Sequence, residues 1–195
     1  MARAGDVIEN PISGQNLIFR TTTKESGGEL LEVESVYTKP TPFQPPTHYH
    51  PGQEERFEVL SGTLRVLVDG RERHLGTGEI ITIQPGTPHE MSAGEAGVRV
   101  NWQTRPALRT EAFFEAMWGL AHDGKTNEKG VPNLLQTAVL MTEYADEFRL
   151  VSPPRFVQKM VFGALAPIGR LLGYRADYPY PHTTERGRQA DKVQG

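Results

Sequence analysis

The run GTLRVLVDGRERHL, residues 62–75, constrains the fold more than any other stretch of the chain. Asp69-Gly70 is a two-residue turn signal, because both positions of such a turn need a positive φ that Gly and Asp tolerate. The flanking segments alternate apolar and polar residues with period two, the pattern of half-buried strands. An antiparallel hairpin follows. The same reading applies to GGELLEVESVY, where Leu31, Val33 and Tyr37 share one face and Glu32 and Glu34 the other. GTGEIITIQPG reads as a buried strand between glycine and proline turns, and VRVNWQTR sets Val98, Val100 and Trp102 against Arg99, Asn101 and Gln103. Many short strands at this spacing predict a sandwich or barrel over residues 1–105.

The period then changes. Over residues 106–175 the apolar positions recur at helical spacing. Phe113, Phe114, Met117, Leu120 and Ala121 mark a first helix, with Thr110 as the expected N-cap and Gly124 as its stop. PNLLQTAVLMTEYADEF predicts a second helix, and PPRFVQKMVFGALAPIGRLLGYR a third, bent at Pro167. The third contains Gln158, Lys159 and Arg170 and falls short of the roughly 20 apolar residues of a membrane span. It is expected to pack on the barrel or a partner subunit rather than insert stably into a bilayer, with a membrane-surface helix as the alternative. A flexible tail is expected over 176–195, which has little to bury and includes His182.

The chain has no cysteine. Disulfides, thiolate nucleophiles and sulfur ligands are therefore excluded, and any metal must be held by nitrogen and oxygen. A formal net charge of −3 provides no footprint for nucleic acid. The opening MARAGDVIENPISG lacks the apolar segment of a secretory leader, so the expected compartment is the cytoplasm.

Against that background the stretch HYHPGQEERFEVLSG stands out. His48 and His50 lie two residues apart on a strand, so their side chains point the same way about 6.6 Å apart. Two imidazoles at that spacing can converge on one ion. Parity selects among the carboxylates: Glu55 shares a face with Phe57 and Val59, while Glu54 shares one with Arg56 and Glu58. Glu55 is the inward residue. Gln53 has the same parity and sits beside the set. His89 follows a predicted strand and a Pro-Gly turn, which brings it to a neighbouring strand end. Three imidazoles and a carboxylate suit one divalent transition ion such as Fe, Mn, Ni, Cu or Zn. His74 and His122 are expected at the surface.

The two segments resemble the two motifs of the cupin superfamily. The first pairs His48 and His50 with Glu55 and Gly62; the second is matched by Gly78, Gly86 and His89. Gln84 stands where the family has proline, Ala93 where it has asparagine, and the leading glycine of the first motif is missing. The resemblance implies a mainly β fold, a double-stranded β-helix or jelly-roll barrel, here followed by C-terminal α-helices. It implies His48, His50, Glu55 and His89 as ligands and a homodimer formed through edge strands.

The function expected from this set is a metal-dependent enzyme on a small, partly apolar molecule, with Glu55 as ligand or base. Phe57, Val66, Val68, Val100 and Trp102 are the candidate pocket lining. Resemblance favours dioxygenase-like oxidoreductase chemistry over isomerase, lyase or cyclase chemistry, or a sensor cupin without catalysis.

Overall fold

The structure is a computed structural model that describes residues 2–37, 46–181 and 183–184. Its strands are β1 (Asp6–Glu9), β2 (Gln15–Thr21), β3 (Leu31–Tyr37), β4 (His48–Tyr49), β5 (Glu54–Val68), β6 (Arg71–Leu75), β7 (Ile80–Ile83) and β8 (His89–Arg105). Helices α1 (Thr110–His122) and α2 (Leu134–Glu143), strand β9 (Arg149–Leu150), helix α3 (Arg155–Leu171) and strand β10 (Thr183–Thr184) follow. All the strand pairings are antiparallel.

Two long strands organise the barrel. β5 and β8 run 15 and 17 residues, well beyond the usual strand, and pair from Glu54↔Arg105 to Val68↔His89. Strands of that length must coil, and their register shifts on either side of Gly62 supply the bend. β3 extends the sheet on the far side of β8 through Val33↔Trp102 and continues into β2 and β1. The Asp69-Gly70 hairpin forms as expected, with φ of 48° and 73° and Val68 opposite Arg71. Among the described residues β7 is an edge strand paired only with β5, so it alternates exposed and buried residues instead of being buried on both sides: Ile80 faces solvent and Ile81 the interior.

Two apolar clusters fill the interior. Phe57, Val59, Leu64, Val66, Leu75, Ile81, Ile83, Val98 and Val100 close one end of the barrel. Ile8, Leu17, Phe19, Leu31 and Val33 pack against Phe113, Phe114, Leu120, Leu140 and Tyr144, which brings α1 and α2 over the other end. Trp102 touches both clusters.

Local capping differs from expectation at one helix. Thr110 does not cap α1, because its hydroxyl accepts from Gln53 Nε2 at 2.8 Å and is drawn inward; Arg109 takes the cap position without a side-chain bond. Gly124 ends α1 with φ of 66°, and Asn133 caps α2 by accepting from Leu135 and Gln136. α3 runs through Pro167 as one helix. The segment from 176 was expected as a tail, yet Ala176, Tyr178 and Tyr180 pack on the barrel core and β10 pairs with β1. Aromatic rings in YPYP supply the surface that the polar average of this segment conceals. His182 and residues 185–195 lie outside the described residues.

Gly62 has φ of 81°, and a Cβ there would lie 2.3 Å from the Gly97 carbonyl oxygen. Gly62→Ala should therefore lower stability by about 2 kcal/mol or more. Gly52→Ala, where a Cβ meets nothing within 4 Å, should be nearly neutral. Urea unfolding of the two variants checks both.

Candidate metal centre

The register of the sheet explains how four distant residues meet. β7 sets Ile83 beside Glu55, and the turn after Ile83 delivers His89 to the start of β8, opposite His48 on β4. The turn is pinned to the first segment by Gly86 N–H donating to the His50 carbonyl at 2.8 Å. His48, His50, Glu55 and His89 are all buried, at 7, 6, 1 and 1% exposure. Parity between Glu54 and Glu55 is as read: Glu54 stays at the surface and accepts from Gln84.

One nitrogen from each imidazole lies within 4.8 Å of those from the other two, so the three histidines could hold an ion. Glu55 Oε2 is 2.9 Å from His89 Nε2 and 3.3 Å from His50 Nε2. The other ring nitrogen is occupied in every case. His48 Nδ1 meets the Pro46 carbonyl at 2.9 Å, His89 Nδ1 that of Thr87 at 2.9 Å, and His50 Nδ1 that of Glu147 at 2.5 Å. A carbonyl can only accept, so each Nδ1 carries the proton and each Nε2 presents a lone pair. Three lone pairs and a carboxylate oxygen then face one another. The Nε2 atoms of His50 and His89 and Oε2 of Glu55 are buried without a hydrogen bond that satisfies them. A cation at their centre would answer all three, and the carbonyl contacts are of the kind that orient imidazole ligands.

The electrostatics divide the set: His48 is held neutral, whereas Glu55 favours a proton on His50 that a cation would displace. Burial, with the neighbouring His89 and His50, pushes the His48 imidazole down to about 3, so it is a neutral donor. Burial works to raise Glu55, but His50 and His89 outweigh it and hold the carboxyl below the ordinary range, ionised. Burial likewise disfavours a charged His50, yet the charge and hydrogen bonds of Glu55, with the Glu147 carbonyl and Gln53, raise it. Gln53 thus sits beside the set, as expected, and its amide also ties the site to the start of α1 by donating to the Thr110 hydroxyl and to the Pro106 and Ala107 carbonyls before it.

Three contributions were not read from the sequence, which offered Trp102 only as pocket lining. Trp102 Nε1 donates to Glu55 Oε1 at 3.0 Å, fixing the carboxylate so that Oε2 faces the imidazoles. Phe148 stacks on His48 with ring centroids 4.5 Å apart. Glu147 supplies the carbonyl for His50, while its buried side chain is clasped by Arg109 at 3.0 Å. All of the segment 147–150 belongs to the helical region, where β9 pairs with β4 across His48↔Leu150. The only hint in sequence was a short charged and aromatic loop, DEFR, between two predicted helices.

Next to the histidines lies a cavity of about 210 Å³, lined by His48, His50, Met91, Trp102, Phe113, Phe114, Met117, Trp118, Leu140 and Phe148, with Asn10, Ser13 and Gln15 among the polar wall residues. Of the five expected pocket residues only Trp102 lines it. Phe57, Val66 and Val100 are core, and Val68 packs on that core. The open space lies between the barrel mouth and helices α1 and α2, so the helical residues line it where the strand residues were expected to. His74 and His122 are exposed, bonded to Glu72 and Asp123.

Comparison with known proteins places the chain. The cupin domain model matches residues 36–102. An oxidoreductase of Arthrobotrys oligospora is 30% identical over 202 residues, which covers 94% of this chain and 75% of that protein. yanE of Aspergillus niger is 28% identical over 171 residues, covering 78% of this chain and 65% of its own length. Among solved structures, an RmlC-like cupin from Shewanella frigidimarina has a TM-score of 0.46 at 21% identity, covering 53% of this chain and 86% of its own. KdgF from Halomonas has a TM-score of 0.42 at 20% identity, with 48% and 79% covered. The chain belongs to the cupin superfamily.

Arg109→Ala would leave the buried Glu147 carboxylate without its clasp. A loss of about 1–3 kcal/mol is expected, discounted because the guanidinium is half exposed. Faster proteolysis within residues 144–150, with the barrel intact, should accompany the lowered melting temperature.

Proposed function

We propose that this protein is a mononuclear-metal cupin enzyme of the oxidoreductase kind, joining dioxygen chemistry to a small, largely apolar substrate. The observation that carries the reading is the convergence of three Nε2 lone pairs and Glu55 Oε2 beside an apolar cavity. His48, His50, Glu55 and His89 would hold the ion. Oxidoreductase names among the relatives support the class of reaction. A redox-capable divalent ion such as Fe, Mn, Ni or Cu would supply open coordination positions and electron exchange with dioxygen or a substrate oxygen.

The chain's own residues set the conditions for that chemistry. Met91, Phe113, Phe114 and Phe148 keep the cavity dry, which strengthens every electrostatic contact inside it. Glu55 is tied by Trp102 and fully buried, which suits a fixed ligand better than a base that swings free. Trp118 lines the cavity, and its indole N–H is buried without a partner among the described residues, a donor available to a substrate oxygen. Apolar walls and one such donor suit an aromatic or alicyclic substrate bearing a hydroxyl or carbonyl group.

The first test is metal content in protein purified without a tag or chelator. One equivalent of Fe, Mn, Ni or Cu is expected, and His89→Ala should lose it. Zinc alone would favour non-redox isomerase, lyase or cyclase chemistry; no metal after incubation with each ion would sink the mechanism. Trp102→Phe keeps the ring but removes the donor to Glu55, and should weaken metal binding about 10- to 100-fold in chelator competition. Trp118→Phe should leave the metal in place and raise KM for an oxygen-bearing aromatic substrate in an oxygen-electrode assay.

A further inference from the structure

Helix α3 carries a face that no other described residue covers. Phe156, Met160, Ile168, Leu171 and Leu172 are 69, 72, 48, 88 and 67% exposed. At 100° per residue Phe156, Met160, Pro167 and Leu171 fall in a stripe about 60° wide, with Ile168 and Val161 about 60–80° further around the helix. The opposite face buries Ala166 and Gly169 against α2. A Cβ on Gly169 would lie 2.9 Å from Val139 Cγ2, so the two helices are in close contact there and the stripe points away from it.

Charge identifies what the stripe meets. From Phe148 to Ala176 the sequence has five basic residues and no acidic one, in a chain of formal net charge −3. Arg149 and Arg170 reach Asp146 and Glu143. Arg155 and Lys159, on α3 itself, have no carboxylate partner among the described residues. A second copy docked through this face would bring basic residues against basic residues. An anionic bilayer would complement them. We propose that α3 seats the protein on an anionic membrane surface, with its apolar stripe at the boundary of headgroups and acyl chains and Arg155 and Lys159 over lipid phosphates. No helix of the described residues is long and apolar enough to cross a membrane, so the contact is a lying one.

The test uses the full chain, untagged, in co-sedimentation with phosphatidylcholine vesicles and with vesicles containing about one third phosphatidylserine. Binding to the anionic vesicles should be at least about tenfold tighter and should weaken as salt rises. Met160→Glu with Leu171→Glu should abolish it without changing the circular dichroism or melting temperature, since both side chains are exposed. Arg155→Glu with Lys159→Glu should remove the preference for anionic lipid. Failure to sediment with either vesicle overturns the proposal, as does equal binding to both. A wild-type dimer in sedimentation velocity that Met160→Glu with Leu171→Glu splits, with no vesicle binding, would assign the face to a second copy instead.

Discussion

An ionised carboxylate at 1% exposure is the constraint around which this molecule is arranged. Removing Glu55 from water is costly unless every oxygen finds compensation. Oε1 finds it in the Trp102 indole, while Oε2 faces Nε2 of His50 and of His89 and would be answered by a cation held among them. Each of those partners is itself committed. Trp102 belongs to both apolar clusters, His89 is fixed by the turn after β7, and His50 is held by a carbonyl from beyond α2. Sheet register, turn geometry and helix packing all bear on one oxygen atom.

The helices are part of that arrangement rather than an addition to a finished barrel. α1 and α2 roof the open end, and the loop after α2 returns to lay Phe148 on His48. A barrel closed by its own strands would have a pocket lined by alternating strand residues. Here the interior of the opposite end is packed solid, largely with valine, isoleucine and leucine, and the open space lies at the barrel–helix boundary.

Much of this was legible in the sequence, for definite reasons. Period-two alternation sorts Glu55 from Glu54 because a strand has two faces, and Asp69-Gly70 fixes a hairpin because few residues tolerate its φ angles. Histidines two apart on a strand declare themselves. The spacing placed His89 near the others, but only the pairing of His48 with His89 shows the meeting. What escaped were contacts made by backbone carbonyls, which carry no side-chain signature: Pro46, Thr87 and Glu147 could be any residue and still accept from a histidine. The pocket was misplaced because inward parity on a strand cannot say whether the space it faces is filled. Thr110 was read as a cap because local rules see only its neighbours, whereas its hydroxyl is engaged by Gln53 from a different part of the chain.

The bond between His50 Nδ1 and the Glu147 carbonyl spans 97 residues. During synthesis strands β1 to β8 all emerge before Glu147 does, and in that interval the His50 ring lacks the acceptor that selects its tautomer. The nascent barrel is therefore a site with one donor unset. Docking of the loop after α2 completes it, so the proposed capacity to hold an ion would be a late event in the life of the chain, coupled to the arrival of the helices that also close over the cavity.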